Sequence, residues 1–192
     1  MIELLCECLY RVCRGTHKAA ACQSNTDHIK GEAKHLKNGT HLYLSADLKD
    51  GRPIDTLDIQ DGRFNYYGMT DSAFICRLYQ AGDSHQGILF FVEPGNIYIE
   101  LSQKPGLSRV SGTRNNTEWQ ALNDRVTTCD HEIRSIMGNA RDSISPKKLS
   151  IEMNRLYDEL TARIQETALR NKDNALGHFI SKHFNTTPSK KQ

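Results

Sequence analysis

A change of hydrophobic period near position 116 divides this chain of 192 residues. From Asp27 to Thr113 apolar and polar residues alternate in short runs, whereas after Asn116 apolar residues recur every three or four positions as far as Phe184. Alternation marks half-buried strands and three-four spacing marks amphipathic helices. The expectation is an α+β fold, an antiparallel β-sandwich of about seven to eight strands followed by a helical hairpin and a short C-terminal helix. Residues 1–26 read as a leader, 27–115 as the sandwich, 116–185 as the helical extension and 186–192 as a disordered tail.

Turn signals recur at even intervals through the front half: Asn38-Gly39, Asp50-Gly51, Asp61-Gly62, Gly82-Asp83, Pro94-Gly95 and Pro105-Gly106. Each supplies the positive or fixed φ that a tight reversal needs. Between them Ile29, Gly31 and Ala33 share one face, as do Leu42, Leu44 and Ala46, and Phe64 and Tyr66. The Ile88 to Val92 run is apolar on both faces, which a strand tolerates when helices cover its outer side. It is predicted to pair with Ile97 to Leu101 across Glu93-Pro94-Gly95-Asn96, as a hairpin.

In the back half, Thr117 and Gln120 are placed as a capping box. Trp119, Leu122, Val126, Cys129, Ile133 and Ile136 then form one narrow apolar seam. Gly138-Asn139 supplies a stop, and Ser145-Pro146 starts a second helix whose seam is Leu149, Met153, Leu156, Leu160, Ile164 and Ala168. A connection of about seven residues favours antiparallel neighbours. A third, shorter helix spans Ala175 to Phe184.

Charge excludes one class of partner. With 25 basic and 23 acidic residues the chain has a net charge of +2, and the helical half is itself balanced, so nothing draws a nucleic acid to it. The first 22 residues end in Ala19-Ala20-Ala21-Cys22, small residues before a cysteine as in a bacterial lipoprotein cleavage box, which makes Cys22 the candidate for lipidation. The apolar run of a signal peptide is interrupted there by Glu3, Glu7, Arg11 and Arg14. A membrane is therefore expected as a partner only through that lipid anchor.

Catalytic patterns fail one by one. Cys76 and Cys129 have no neighbouring cysteine and read as buried, unreactive thiols. His178 and His183 lie five apart, about 140° around a helix, which suits surface positions better than a metal pair. Cys129, Asp130 and His131 are consecutive and diverge on a helix, so they make no triad. No catalytic, cofactor-binding or metal-binding residue is assigned, and no cofactor is expected.

The order Ile29-x-Gly31, Leu42-Tyr43-Leu44, Asp61-Gly62-x-Phe64, Phe91-Val92-Glu93-Pro94-Gly95-Asn96-Ile97 and Val110-Ser111-Gly112-Thr113-x-Asn115 resembles a domain of unknown function in Gram-negative envelope proteins. In that family the domain precedes a thioredoxin-like or peroxiredoxin-like thiol-disulfide oxidoreductase domain, often in a lipoprotein. The resemblance covers roughly Asp27 to Asn116, and Asn174-Ala175-Leu176-Gly177-x-Phe179 resembles the linker that follows. The family's Trp-Cys-x-x-Cys pair is not among these residues, so its redox activity is not carried over.

The resemblance implies a non-catalytic module of the cell envelope or periplasm that docks to, positions or regulates a thioredoxin-like partner. Two other readings stand beside it. One is a small-molecule or glycan-binding sandwich using the exposed aromatics Tyr43, Tyr67 and Tyr98, for which ordinary sheet tyrosines are the plainer explanation. The other is the N-terminal part of a longer thioredoxin-like oxidoreductase.

Overall fold

The computed structural model describes residues 25–46, 48, 51–82, 87–104, 106–143 and 145–184. The expected leader up to position 24, with Cys22, and the tail from position 185 lie outside the described residues. Eight strands come first: β1 Thr26–Glu32, β2 His41–Ser45, β3 Asp55–Asp58, β4 Arg63–Met69, β5 Phe74–Gln80, β6 Gly87–Val92, β7 Gly95–Glu100 and β8 Arg109–Ser111. Three helices follow, α1 Arg114–Ser143, α2 Pro146–Arg170 and α3 Ala175–His183, giving an α+β fold.

The strands make two four-stranded sheets, ordered β4-β1-β7-β8 and β3-β2-β5-β6. Successive strand residues face opposite ways, so one set from each sheet can be buried. Ile29, Phe64, Ile97 and Val110 of the first sheet join Leu42, Leu44, Leu78 and Phe90 of the second in one hydrophobic cluster, a sandwich-like arrangement. Trp119, Leu122, Ala168, Leu176 and Ile180 belong to that same cluster, which binds the helices to the sheets.

Two expectations about the sheets are corrected. The sandwich is not wholly antiparallel, because β1 and β7 pair in parallel, with Ile29 opposite Ile97 and Gly31 opposite Ile99. The hairpin between Ile88–Val92 and Ile97–Leu101 is also absent: β6 pairs with β5, and β7 lies in the other sheet between β1 and β8. The link is only Glu93-Pro94, and it carries the chain from one sheet to the other. The Glu93 carboxylate is held by Asn115, Pro94 has no N–H to offer a ladder, and Gly95 takes a φ of 126°. Consequently β6 is an edge strand, and Phe91 on its outer side packs edge-on against Trp119 and Phe179.

Helix α1 begins and ends differently from its sequence signals, whereas α2 and α3 begin where theirs place them. Helix α1 starts at Arg114, with the Thr113 carbonyl accepting from the Thr117 N–H at 2.9 Å, so Thr117 and Gln120 are not a capping box. Gln120 turns to the sheet instead, its Oε1 accepting from the Val110 N–H at 2.8 Å. Helix α1 also runs through Gly138-Asn139 to Ser143. A lone glycine costs a helix only about 1 kcal/mol, too little to end one. Ser145 does cap α2, accepting from the Lys148 N–H, with Pro146 in the first turn. Asn174 caps α3 in the same way through Gly177.

The two long helices pack antiparallel. Glu118 meets Asn171 and Arg170, Arg125 meets Glu159, and the Cys129 thiol lies 3.8 Å from the Leu156 carbonyl. Trp119, Leu122 and Cys129 of the first seam are buried, whereas Val126 is 37% exposed. Among the described residues no helix is long and apolar enough to cross a membrane.

Candidate binding groove

The two motifs richest in turn residues come together where α1 begins. Glu93 accepts from the Asn115 backbone N–H at 3.1 Å and from its Nδ2 at 2.8 Å, which places a carboxylate at the positive end of the helix. Asn116 bonds both backbone groups of Phe91, and Trp119 Nε1 donates to the Leu89 carbonyl at 2.8 Å. Together with Gln120 on Val110, the first turns of α1 therefore satisfy the free edges of β6 and β8. One helix closes that flank of both sheets.

The same placement creates a concavity. Helix α1 stands beside β8 and walls the outer face of the first sheet, leaving a groove of about 820 Å³. Two cross-strand rows form its floor, Asn65–Lys30–Tyr98–Ser111 and Arg63–Glu32–Glu100–Arg109. Both point outward because the alternate positions Phe64, Ile99 and Val110 are buried. Thr117, Gln120, Ala121 and Asp124 supply the wall.

Charge in the groove is partly neutralised internally. Arg109 is 2.7 Å from Asp124, and Glu32 is 2.8 Å from Lys34. The Lys34 hydrogen bond and charge hold the Glu32 carboxyl below its ordinary range. By contrast, the side chains of Lys30, Asn65, Tyr98 and Ser111 make no hydrogen bond among the described residues. The Tyr98 ring is seated over bare backbone, since a Cβ on Gly112 would stand 2.9 Å from its Cδ2.

The three tyrosines singled out in the sequence are not brought together. Tyr98, 48% exposed, lies in the groove floor. Tyr67 shares that sheet face but sits on β4, its ring stacked on His28 with centroids 3.9 Å apart. Tyr43 belongs to β2 in the other sheet and is tilted against Tyr79 at 5.7 Å. The sequence signal at Gln120 is that of a capping box, and nothing in the spacing of Lys30, Asn65 and Ser111 sets them apart from any outward strand position.

The thiols are sealed. Cys76 is 0% exposed and desolvation pushes its thiol up to about 12, while Cys129 is 2% exposed and is raised by burial as well. Neither forms a disulfide. His178 and His183 are on the surface, and among the described residues no group of three or more His, Cys, Asp and Glu side chains could hold a metal ion.

By fold and site this is an α+β module of two four-stranded sheets, closed along one flank by a helix and open to solvent in a polar, aromatic-floored groove. Residues 28–119 match a family model described as Domain of unknown function (DUF4369). That segment runs from β1 to Trp119, and so includes the turns of α1 that seal β6. No curated protein matches the chain.

Proposed function

We propose that this chain is a non-catalytic interaction module of the cell envelope, which docks to or positions a thioredoxin-like partner and can be anchored through acylated Cys22. The burial of both described cysteines carries the reading: thiol exchange needs an accessible thiolate, and Cys76 and Cys129 offer none. The match over residues 28–119 is to a domain of unknown function, and the choice of partner rests on the resemblance of the sandwich to domains preceding thiol-disulfide oxidoreductases. A shared core between sheets and helices gives such a module a rigid frame, which a positioning role requires.

Insulin reduction by the purified protein is expected to run no faster than with the Cys76→Ala/Cys129→Ala variant. A faster wild type overturns the non-catalytic assignment. Titration of a thioredoxin-like envelope domain is expected to give a saturable complex, and its absence overturns the docking role. Cys22→Ala is expected to abolish incorporation of a radiolabelled fatty acid.

A further inference from the structure

The groove on the first sheet has a chemistry of its own, with a tyrosine ring set among polar and charged side chains. We propose that it binds a neutral oligosaccharide, with the Tyr98 ring as the stacking platform and Lys30, Asn65 and Ser111 as hydrogen-bonding partners of the sugar hydroxyls.

Size comes first. At about 820 Å³ the groove falls within the ~300–1,000 Å³ span of small-ligand sites, and it is a trough, open on one side. A linear chain of sugar rings fits such a shape. The platform is also in place beforehand: the Tyr98 ring is backed by Gly112, whose φ of 105° and missing side chain let it lie against the strand. A half-exposed ring fixed in this way offers an apolar face to the C–H side of a pyranose without an ordering cost.

Polarity then selects the class of ligand. The lining has three cations, Lys30, Arg63 and Arg109, and three acids, Glu32, Glu100 and Asp124, so it has no net preference for an anion or a cation. An apolar ligand would strip water from these charges with nothing in return. A peptide strand gains affinity by adding to a sheet edge, and this groove lies on a sheet face. Hydroxyl groups both donate and accept, so a polyhydroxylated neutral ligand can satisfy lysine, amide and carboxylate side by side. The side chains of Lys30, Asn65, Tyr98 and Ser111 are already without partners among the described residues.

The test uses the full chain, a panel of soluble tetra- to hexasaccharides, neutral and acidic, and vesicles bearing a neutral glycolipid, which separate a free glycan from a lipid-borne one. Saturable binding to a neutral member in either form is expected. Tyr98→Ala should weaken it at least about tenfold, or about 1.4 kcal/mol, Tyr98→Phe by no more than about threefold, and Tyr43→Ala on the other sheet not at all. Lys30→Ala, at an exposed position, should weaken it about threefold and keeps the test valid if Tyr98→Ala fails to fold. Binding to no neutral glycan, preference for acidic ones, or unchanged affinity in folded Tyr98→Ala or Lys30→Ala overturns the proposal. Docking to a thioredoxin-like domain is measured separately by titration, so that failure of glycan binding and failure of docking are told apart.

Discussion

The side-chain amide of Asn116 pairs with the backbone of Phe91 as a neighbouring strand would, accepting from its N–H at 2.8 Å and donating to its carbonyl at 2.7 Å. Asn116 is fully buried and Phe91 is 0% exposed, so water cannot replace either bond. Helix α1 thereby takes the place of a fifth strand at the edge of the second sheet.

Asn116→Leu keeps the bulk and removes both bonds, stranding a buried donor and a buried acceptor. Each stranded group costs about 1–3 kcal/mol, so a loss of about 3 kcal/mol in unfolding free energy is expected from urea titrations. Amide exchange at Phe91 should accelerate with it. An unchanged midpoint would show that β6 does not need the helix to complete its edge.

Gly31 and Phe64 make a second such relationship inside the sandwich. They are cross-strand partners, and the Phe64 ring occupies the space where a Gly31 side chain would be. Gly31→Ala therefore overpacks the core and should cost about 1–3 kcal/mol. Phe64→Leu alone opens a cavity, but combined with Gly31→Ala it makes room for the new methyl group. The double variant is expected to lose less than the sum of the singles, with a coupling of about 0.5–3 kcal/mol in a denaturation cycle. Strict additivity would refute the contact.

These two relationships mark how far the sequence could be read. Inward positions such as Ile29, Leu42, Leu44 and Phe64 are legible because alternation is a local property of a strand, and all four are buried. Pairing is not local. A short link such as Glu93-Pro94 serves a hairpin or a crossing between sheets equally well, and what decides is the Glu93–Asn115 contact, 22 positions apart. The parallel β1–β7 pair is similarly remote in sequence. Gln120 has the spacing of a capping box but spends its side chain on Val110. The groove was hidden for the same reason: its polar residues alternate like any solvated sheet face, and concavity arises only because α1 stands beside β8.

Asp27 gives stability an unusual pH dependence. Its side chain is 1% exposed, Oδ2 has no partner among the described residues, and desolvation raises its pKa above the ordinary 3.8, with its own backbone N–H offsetting part of that. In strong acid the carboxyl is neutral in both folded and unfolded chains and carries no penalty. As pH rises through the ordinary value the unfolded chain ionises first, so stability falls until the raised folded value has been passed. Asp27→Asn removes this dependence. Urea titrations across the carboxyl range should show the variant gaining on the wild type as pH increases, and a constant difference would count against a buried, unpaired acid.

Glu118 works in the opposite direction. Burial alone would raise its carboxyl, but hydrogen bonds from Asn171 at 2.7 Å and from Arg170, with the charges of Arg170 and Arg114, outweigh it and hold the pKa below 4.5. The stabilisation is complete above the ordinary carboxyl range and is lost as pH falls through the depressed folded value. Because Glu118 lies one residue before Trp119 and ties the start of α1 to the end of α2, its loss should loosen the helix that seals both sheet edges. Glu118→Ala is expected to cost about 1–2 kcal/mol near neutrality, with half-exposed Arg170 contributing less than Asn171. The deficit should shrink as acid protonates the wild-type carboxyl. A deficit that persists undiminished in acid would mean that Glu118 acts through packing, and that the charged staple between the two helices is not what holds them.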